Sequence, residues 1–194
     1  TLVRRLVQRH NFEVMRIRER SELQEDTLGA FDPDWIFFPH WSHIIPASVH
    51  QKYRAVVFHM TDLPYGRGGS PLQNLIARGH KETKLSALRC EAGLDTGPVY
   101  LKRPLSLEGT AEDILQRASD LLEDMITDIV TQDLAPETQK GEPVVFARRN
   151  PTQSAIDEVG DAGSLYDHIR MLDADGYPNA FAETEMFKVT FTDA

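Results

Sequence analysis

The sequence predicts an α/β protein: a Rossmann-like open, mostly parallel sheet flanked by helices, with a small α+β extension at the C-terminal end. Three observations predict it. Trp35-Ile36-Phe37-Phe38 and Ala55-Val56-Val57-Phe58 are short runs apolar on both faces, which suits strands covered by helices on each side. Ile114, Leu115, Ala118, Leu121, Leu122, Met125, Ile126 and Ile129 share one face of a helical period, so a long helix lies over a core. The 194 residues suffice for one medium domain with a real core and a small appendage.

In order along the chain, Leu2, Val3, Leu6 and Val7 give one apolar face of an opening helix. The chain starts on that helix and without methionine, so a further segment upstream is expected. Phe12 to Ile17 reads as a β-like run, and the polar stretch Ser21 to Asp26 as the start of a second helix. After the two apolar strands comes the turn-rich loop from Asp62 to Gly69, closing on Ser70-Pro71. Ser70 is expected to cap, and Pro71 to open, a helix through Leu72, Leu75 and Ile76. Further β-like runs, Leu85 to Cys90 and Pro98 to Lys102, flank a tight turn from Gly93 to Gly97. The long helix starts at Thr110, with Asp113 placed for a capping box. Pro136 ends it. A polar connector then runs to about Asp161, interrupted by Val144-Val145-Phe146. A helix near Leu165 to Leu172, a Gly176-Tyr177-Pro178 turn and an alternating strand through Phe187, Val189 and Phe191 complete a small C-terminal unit. The domain division expected is a main domain over 1–135, then a linker and small subdomain over 136–194.

Composition narrows the partners. Thirty acidic residues face 21 basic ones, for a net charge of −9, and the cations are scattered instead of clustered. Nucleic acid is therefore not the expected partner. No apolar run approaches the roughly 20 residues that cross a bilayer, and nothing resembles a secretory signal. A soluble protein in the cytoplasm is expected, without a membrane partner. Cys90 is the sole cysteine, which rules out an internal disulfide and agrees with a reducing compartment.

His59 stands where a buried strand gives way to a glycine-rich loop, the strand edge at which open α/β sheets bind ligands. Asp95 sits in a turn flanked by glycines, which lets backbone come close to a ligand or another loop. Each has a structural reading of comparable weight, His59 as a loop anchor and Asp95 as a turn former. Together they can form a base and its orienting partner, as acyl transfer requires. The Gly66-Arg67-Gly68-Gly69-Ser70 loop invites a phosphate reading with Arg67 as the cation, but it lacks the ending of a Walker loop and the spacing of a dinucleotide fingerprint. His40, His43 and His50 lie close together, yet no carboxylate or cysteine completes a zinc spacing, so no metal is expected. Trp41 reads as core, or as a stacking surface for a flat heterocycle.

The stretch Phe58-His59-Met60-Thr61-Asp62-Leu63-Pro64-Tyr65-Gly66-Arg67-Gly68-Gly69-Ser70-Pro71, followed by Leu94-Asp95-Thr96-Gly97-Pro98, resembles the formyltransferases that use 10-formyltetrahydrofolate. These include methionyl-tRNA formyltransferase and the sugar N-formyltransferases. The resemblance covers about Asp34 to Val130, and Ile169-Arg170 with Gly176-Tyr177-Pro178 is similar to the tail of sugar-modifying members. It implies that a substrate amine attacks the formyl carbon carried by folate, with negative charge developing on oxygen. His59 would stabilise that oxygen or relay protons, and Asp95 would tune the histidine and help remove the ammonium proton. By the same resemblance, the pterin lies between Phe38–Ile45, with His40, Trp41 and Ser42, and the loop of Ala92, Gly93, Leu94 and Asp95. Arg67, Gly68, Gly69, Ser70 and Asn74 would meet the amine substrate.

Two features depart from the family pattern. Val57 stands where the family has asparagine and cannot donate a hydrogen bond to an oxyanion, so His40, Ser42, His43 or Asn74 is expected to substitute. The usual first strand of the sheet does not precede the opening helix, and residues 1–135 are read as a catalytic domain without it. The resemblance points to transfer onto an amino sugar, with nucleotide-linked sugars foremost and a homodimer compatible with the family. A tRNA acceptor is less expected, because no basic footprint or substantial basic domain stands in these residues. Water as acceptor, giving a folate deformylase, and a binding protein that has lost catalysis are the alternatives.

Overall fold

The computed structural model describes residues 1–156 and 160–193, so the connector at 157–159 lies outside the described residues. The chain divides into two compact units: Thr1–His59, Leu85–Arg103 and Ser119–Gly141 form one, and Met60–Lys84, Pro104–Ala118 and Glu142–Ala194 the other.

The first unit opens with α1 (Leu2–His10), whose first turn is capped by Thr1 accepting from Arg4 N and whose end is turned by Asn11 at φ 55°. The run Phe12 to Ile17 is not a strand and joins no ladder among the described residues. Met15 and Ile17 instead pack on the cluster of Leu23, Leu28, Phe38, Val49, Ala55 and Cys90. The alternating pattern marked burial, while a strand also needs a neighbour's backbone groups. The helix expected from Ser21 is interrupted because the Glu22 carboxylate accepts from Arg18 N at 2.7 Å and Glu19 N at 3.1 Å. These bonds hold Arg20–Glu22 in a tight 3₁₀ turn, and α2 (Glu25–Phe31) follows.

A four-stranded sheet has the order β1 (Trp35–Phe38), β2 (Arg54–His59), β4 (Glu82–Arg89), β5 (Val99–Ser106), with α3 (Ala47–His50) between β1 and β2. The α/β class with helices around a central sheet is as the sequence predicts. The ladder is mixed in direction: β1 and β2 are parallel with Phe38 opposite Val57, and β2 and β4 are antiparallel with His59 opposite Ser86. Runs apolar on both faces report burial and carry no direction, which is why the parallel reading went too far for β4. Strands β4 and β5 and helix α5 (Ala111–Thr131) run through both units. The α5 capping box forms as expected, with Asp113 N donating to Thr110 Oγ1 at 3.2 Å and Thr110 N to Asp113 Oδ2 at 3.0 Å. Farther along, the buried Glu123 carboxylate meets Arg5 Nε at 2.7 Å, His10 Nε2 at 3.1 Å and Arg9 Nη1 at 3.4 Å, fastening α1 to α5.

In the second unit, the loop expected over 62–69 contains β3 (Tyr65–Gly68), which pairs in parallel with β6 (Val144–Phe146). α4 (Pro71–Ile76) follows β3, and α6 (Ala162–Arg170) is capped by Asp161, whose carboxylate accepts from Ser164 N at 2.8 Å. β7 (Phe181–Glu183) and β8 (Lys188–Thr190) close the described chain as an antiparallel pair. Arg170 is 2 % exposed, donates to Leu107 O at 2.6 Å and Gly109 O at 2.8 Å, and pairs with Asp167 at 2.6 Å. This guanidinium joins α6 to the segment ahead of α5. Among the described residues, no helix is long and apolar enough to cross a membrane.

Candidate functional site

β2 delivers His59 to the sheet edge as its last residue, where the side chain is 9 % exposed. Its backbone pairs with Ser86, which is fully buried, so the imidazole stands on a rigid part of the sheet. Asp95 comes to it from the turn between β4 and β5: His59 Nδ1 and Asp95 Oδ2 are 3.6 Å apart. That separation is beyond a formed hydrogen bond but within ion-pair reach, and such contacts commonly tighten when substrate binds.

The turn is held in shape by its glycines and its backbone. A Cβ on Gly97 would lie 1.9 Å from Arg89 O, so no other residue fits there without moving β4. Asp95 adopts φ 53°, a left-handed conformation that aspartate tolerates better than most side chains. Gln139 Nε2 donates to Asp95 O and Gly97 O, each at 2.8 Å. Sequence reasoning passed over Gln139, since it lies in a polar connector with no local pattern to mark it.

Val57 is two residues ahead of His59 and thus shares its face of β2. It packs against the apolar cluster around Phe38, Ala55 and Cys90, so the space beneath His59 is apolar. Cys90 is itself inert. Burial, with Asp95 and Glu91 nearby, pushes its thiol up to about 11, leaving about 100-fold less thiolate at pH 8 than an ordinary cysteine. Alkylation by iodoacetamide followed by intact mass is expected to be at least about 100-fold slower in the native protein than in urea. Equal rates would contradict a buried thiol.

The segment after β1 leaves the sheet at the same edge. β1 pairs with β2 in parallel only as far as Phe38 opposite Val57, and the ladder ends there, with Pro39 and His40 in a bend. His40 keeps an exposed edge, yet the protein packed around its ring desolvates the charged form and lowers its pKa. Ser42 and His43 are exposed. Trp41 meets Phe38 and His43 edge-on, with ring centroids at 5.6 and 5.7 Å, and its buried Nε1 has no hydrogen-bond partner among the described residues. Ala92, Gly93 and Leu94 are exposed on the Asp95 turn. His40, His43 and His50 assemble no metal set; among the described residues no three His, Cys, Asp or Glu side chains gather as a metal would need.

In the second unit the glycine-rich loop has a reason that the sequence concealed. A Cβ on Gly68, at φ 106°, would lie 2.4 Å from Phe146 O, and one on Gly69 would lie 2.5 Å from Arg148 Cβ. Both glycines admit the β6 segment, a packing role that nothing in the sequence marked. Ser70 is not the side-chain cap expected: it has φ 48°, and its hydroxyl accepts from Arg149 N at 3.1 Å. Asn74 is corrected as a candidate oxyanion donor. Its amide nitrogen already donates to Gly69 O, Ser70 O and Ala147 O at 3.0–3.1 Å. Arg67 is half-buried in β3, and Asp62, five residues ahead of it, pairs with Lys84 at 3.0 Å.

The family model described as "Formyl transferase" matches residues 2–130, and that described as "Methionyl-tRNA formyltransferase, C-terminal domain" matches residues 151–194. A methionyl-tRNA formyltransferase of Sulfurovum sp. (strain NBC37-1) is 26% identical over 187 residues, covering 93% of this chain and 60% of that protein. The chain thus spans about three fifths of that relative's length. A solved structure named methionyl-tRNA formyltransferase from Clostridium thermocellum superposes with a TM-score of 0.95 at 44% identity, covering 99% of this chain and 86% of that one. A sugar N-formyltransferase from Shewanella sp. FDAARGOS_354 shares the fold at a TM-score of 0.69 and 17% identity, covering 88% of this chain and 74% of that one.

Proposed function

Because the chain belongs to the formyl transferase family, we propose that it transfers the formyl group of 10-formyltetrahydrofolate to a primary amine, using His59 and Asp95. The single observation that carries the reading is the His59 Nδ1 to Asp95 Oδ2 approach of 3.6 Å at a strand end. Residues 40–42 and 92–94 fit a folate. Leu94 is 70 % exposed, an apolar side chain in water that a flat ring would cover, and His40 is held toward its neutral form by desolvation. When bound there, the folate supplies the activated formyl carbon.

When the contact tightens with substrate bound, Asp95 accepts from Nδ1–H of His59 and so directs Nε2 toward the reacting atoms, stabilising the imidazolium form when the ring takes the proton of the attacking amine. His59 then stabilises charge developing on the formyl oxygen and returns a proton to the departing nitrogen. Val57 cannot add a second donor, and His40, on the segment that follows β1, is the neutral N–H donor proposed for that role.

The acceptor proposed is an amino sugar carried on a nucleotide, in keeping with the net charge of −9 and scattered cations, which give a poor surface for tRNA. Methionyl-tRNA is the second reading, favoured by the name of the 44%-identical structure. The test is purified protein with 10-formyltetrahydrofolate and either nucleotide-linked amino sugars or methionyl-tRNA, following tetrahydrofolate release and formylation of the acceptor by mass. Sugar-dependent release supports the proposal and tRNA-dependent release the second reading. Release without any amine would mean hydrolysis, and binding without release would mean an inactive protein.

A further inference from the structure

We propose that Gln139 is the positioning residue that holds Asp95 against His59; the proposal rests on the reading of this pair as the reaction centre. The carboxamide places its two N–H groups on two carbonyls, Asp95 O and Gly97 O, both at 2.8 Å. They lie on either side of Thr96 and so span the part of the turn that aims the Asp95 side chain. Gly97 can take no Cβ, and Asp95 beside it in the turn holds a left-handed φ of 53°, a conformation that few side chains adopt. Gln139 supplies the restraint.

Its own position is fixed by β5. Val99 N donates to Glu137 O at 2.7 Å, and Glu137 N returns a bond to Val99 O at 2.9 Å. The connector is thereby clipped to the first residue of β5, two residues ahead of Gln139. A side chain rooted on the sheet thus reaches across to the turn that the sheet's own strands connect. Substituting it lets the turn relax, and a displacement near 1 Å of a catalytic group can cost about 100-fold in rate.

The experiment pairs Gln139→Met, which keeps the length and loses both N–H groups, with Asp95→Asn, using the acceptor that supports turnover. Gln139→Met is expected to lower kcat about 10- to 100-fold and, because Gly93 and Leu94 of the same turn line the proposed folate site, to raise KM for the formyl donor by a smaller factor. The double variant should be no slower than Asp95→Asn, since residues acting through one another are not additive. A wild-type kcat in Gln139→Met, or its full loss repeated on top of Asp95→Asn, overturns the proposal. If Asp95→Asn itself keeps the wild-type rate, the reading of the pair fails; a slow Asp95→Asn with a fast Gln139→Met sinks the Gln139 inference alone. Hydrogen exchange gives a readout independent of turnover: amides 93–97 should exchange at least about tenfold faster in Gln139→Met while those of α5 are unchanged. Unaltered exchange in the turn overturns the proposal whatever the activity. Gln139→Glu, which keeps size and polarity without the two donors, should reproduce both effects if the methionine variant does not fold.

Discussion

Replacing His59 with glutamine is expected to lower formyl transfer about 1,000-fold while tetrahydrofolate derivatives still bind within a few-fold of wild type. General acid–base work by a placed imidazole contributes about 10²–10⁴, and a lost oxyanion donor costs about 10²–10³. Glutamine keeps the space filled at a side chain that is 9 % exposed above the apolar packing of Val57, but it cannot pass a proton at neutral pH. Asp95→Asn should cost less, about 100-fold, because it removes the orienting charge and leaves the ring. Acceptor-dependent tetrahydrofolate release and calorimetric binding of the folate measure the two quantities separately. A His59→Gln rate within about tenfold of wild type would remove His59 from the chemistry.

Arg170→Met should be strongly destabilising to the second unit. The guanidinium is 3 % exposed and makes one ion pair with Asp167 and two hydrogen bonds to carbonyls of Leu107 and Gly109. Asp167 keeps Lys81 Nζ at 3.6 Å, so the loss falls chiefly on the buried Leu107 and Gly109 carbonyls and costs about 2–4 kcal/mol. Against a total stability of about 5–15 kcal/mol, this should lower the melting temperature by on the order of 10 °C. Lysine at the same position recovers only part of the loss, because a point charge cannot reach two carbonyls and a carboxylate as a planar fork does. Thermal and urea unfolding of the three proteins decide it, and a loss under about 1 kcal/mol for Arg170→Met would show that the buried contacts contribute little.

The elements that were legible in the sequence are those whose signal is local. β1 and the core of β2 follow from apolar runs, and α5 from an apolar face with Thr110 and Asp113 at its start. His59 and Asp95 were legible as candidates because one ends a strand and the other sits among glycines, and the structure brings them to 3.6 Å. The run Phe12 to Ile17 misled, because its alternation reports packing on the cluster at Leu23 and Phe38, which a segment without a ladder also satisfies. Ser70 misled for a related reason. Its hydroxyl had a good local use as a cap, yet the backbone of Arg149, 79 residues away, took it.

The sequence by itself determined the fold class and the long helix with its cap, and it marked His59 and Asp95 as the candidates on which the proposed chemistry turns. Periodicity, caps and glycine turns act over a few residues, so they leave their mark in order along the chain. Only the tertiary structure decided the direction of β4 against β2, the packing reason for Gly68 and Gly69, the commitment of Asn74 to its own loop, and the place of Gln139 over the Asp95 turn. Each of these depends on a backbone group or side chain that arrives from a distant part of the chain. A hydrogen bond or a close packing of backbone on a glycine has no periodic signature, so it becomes visible only when the partners are in place.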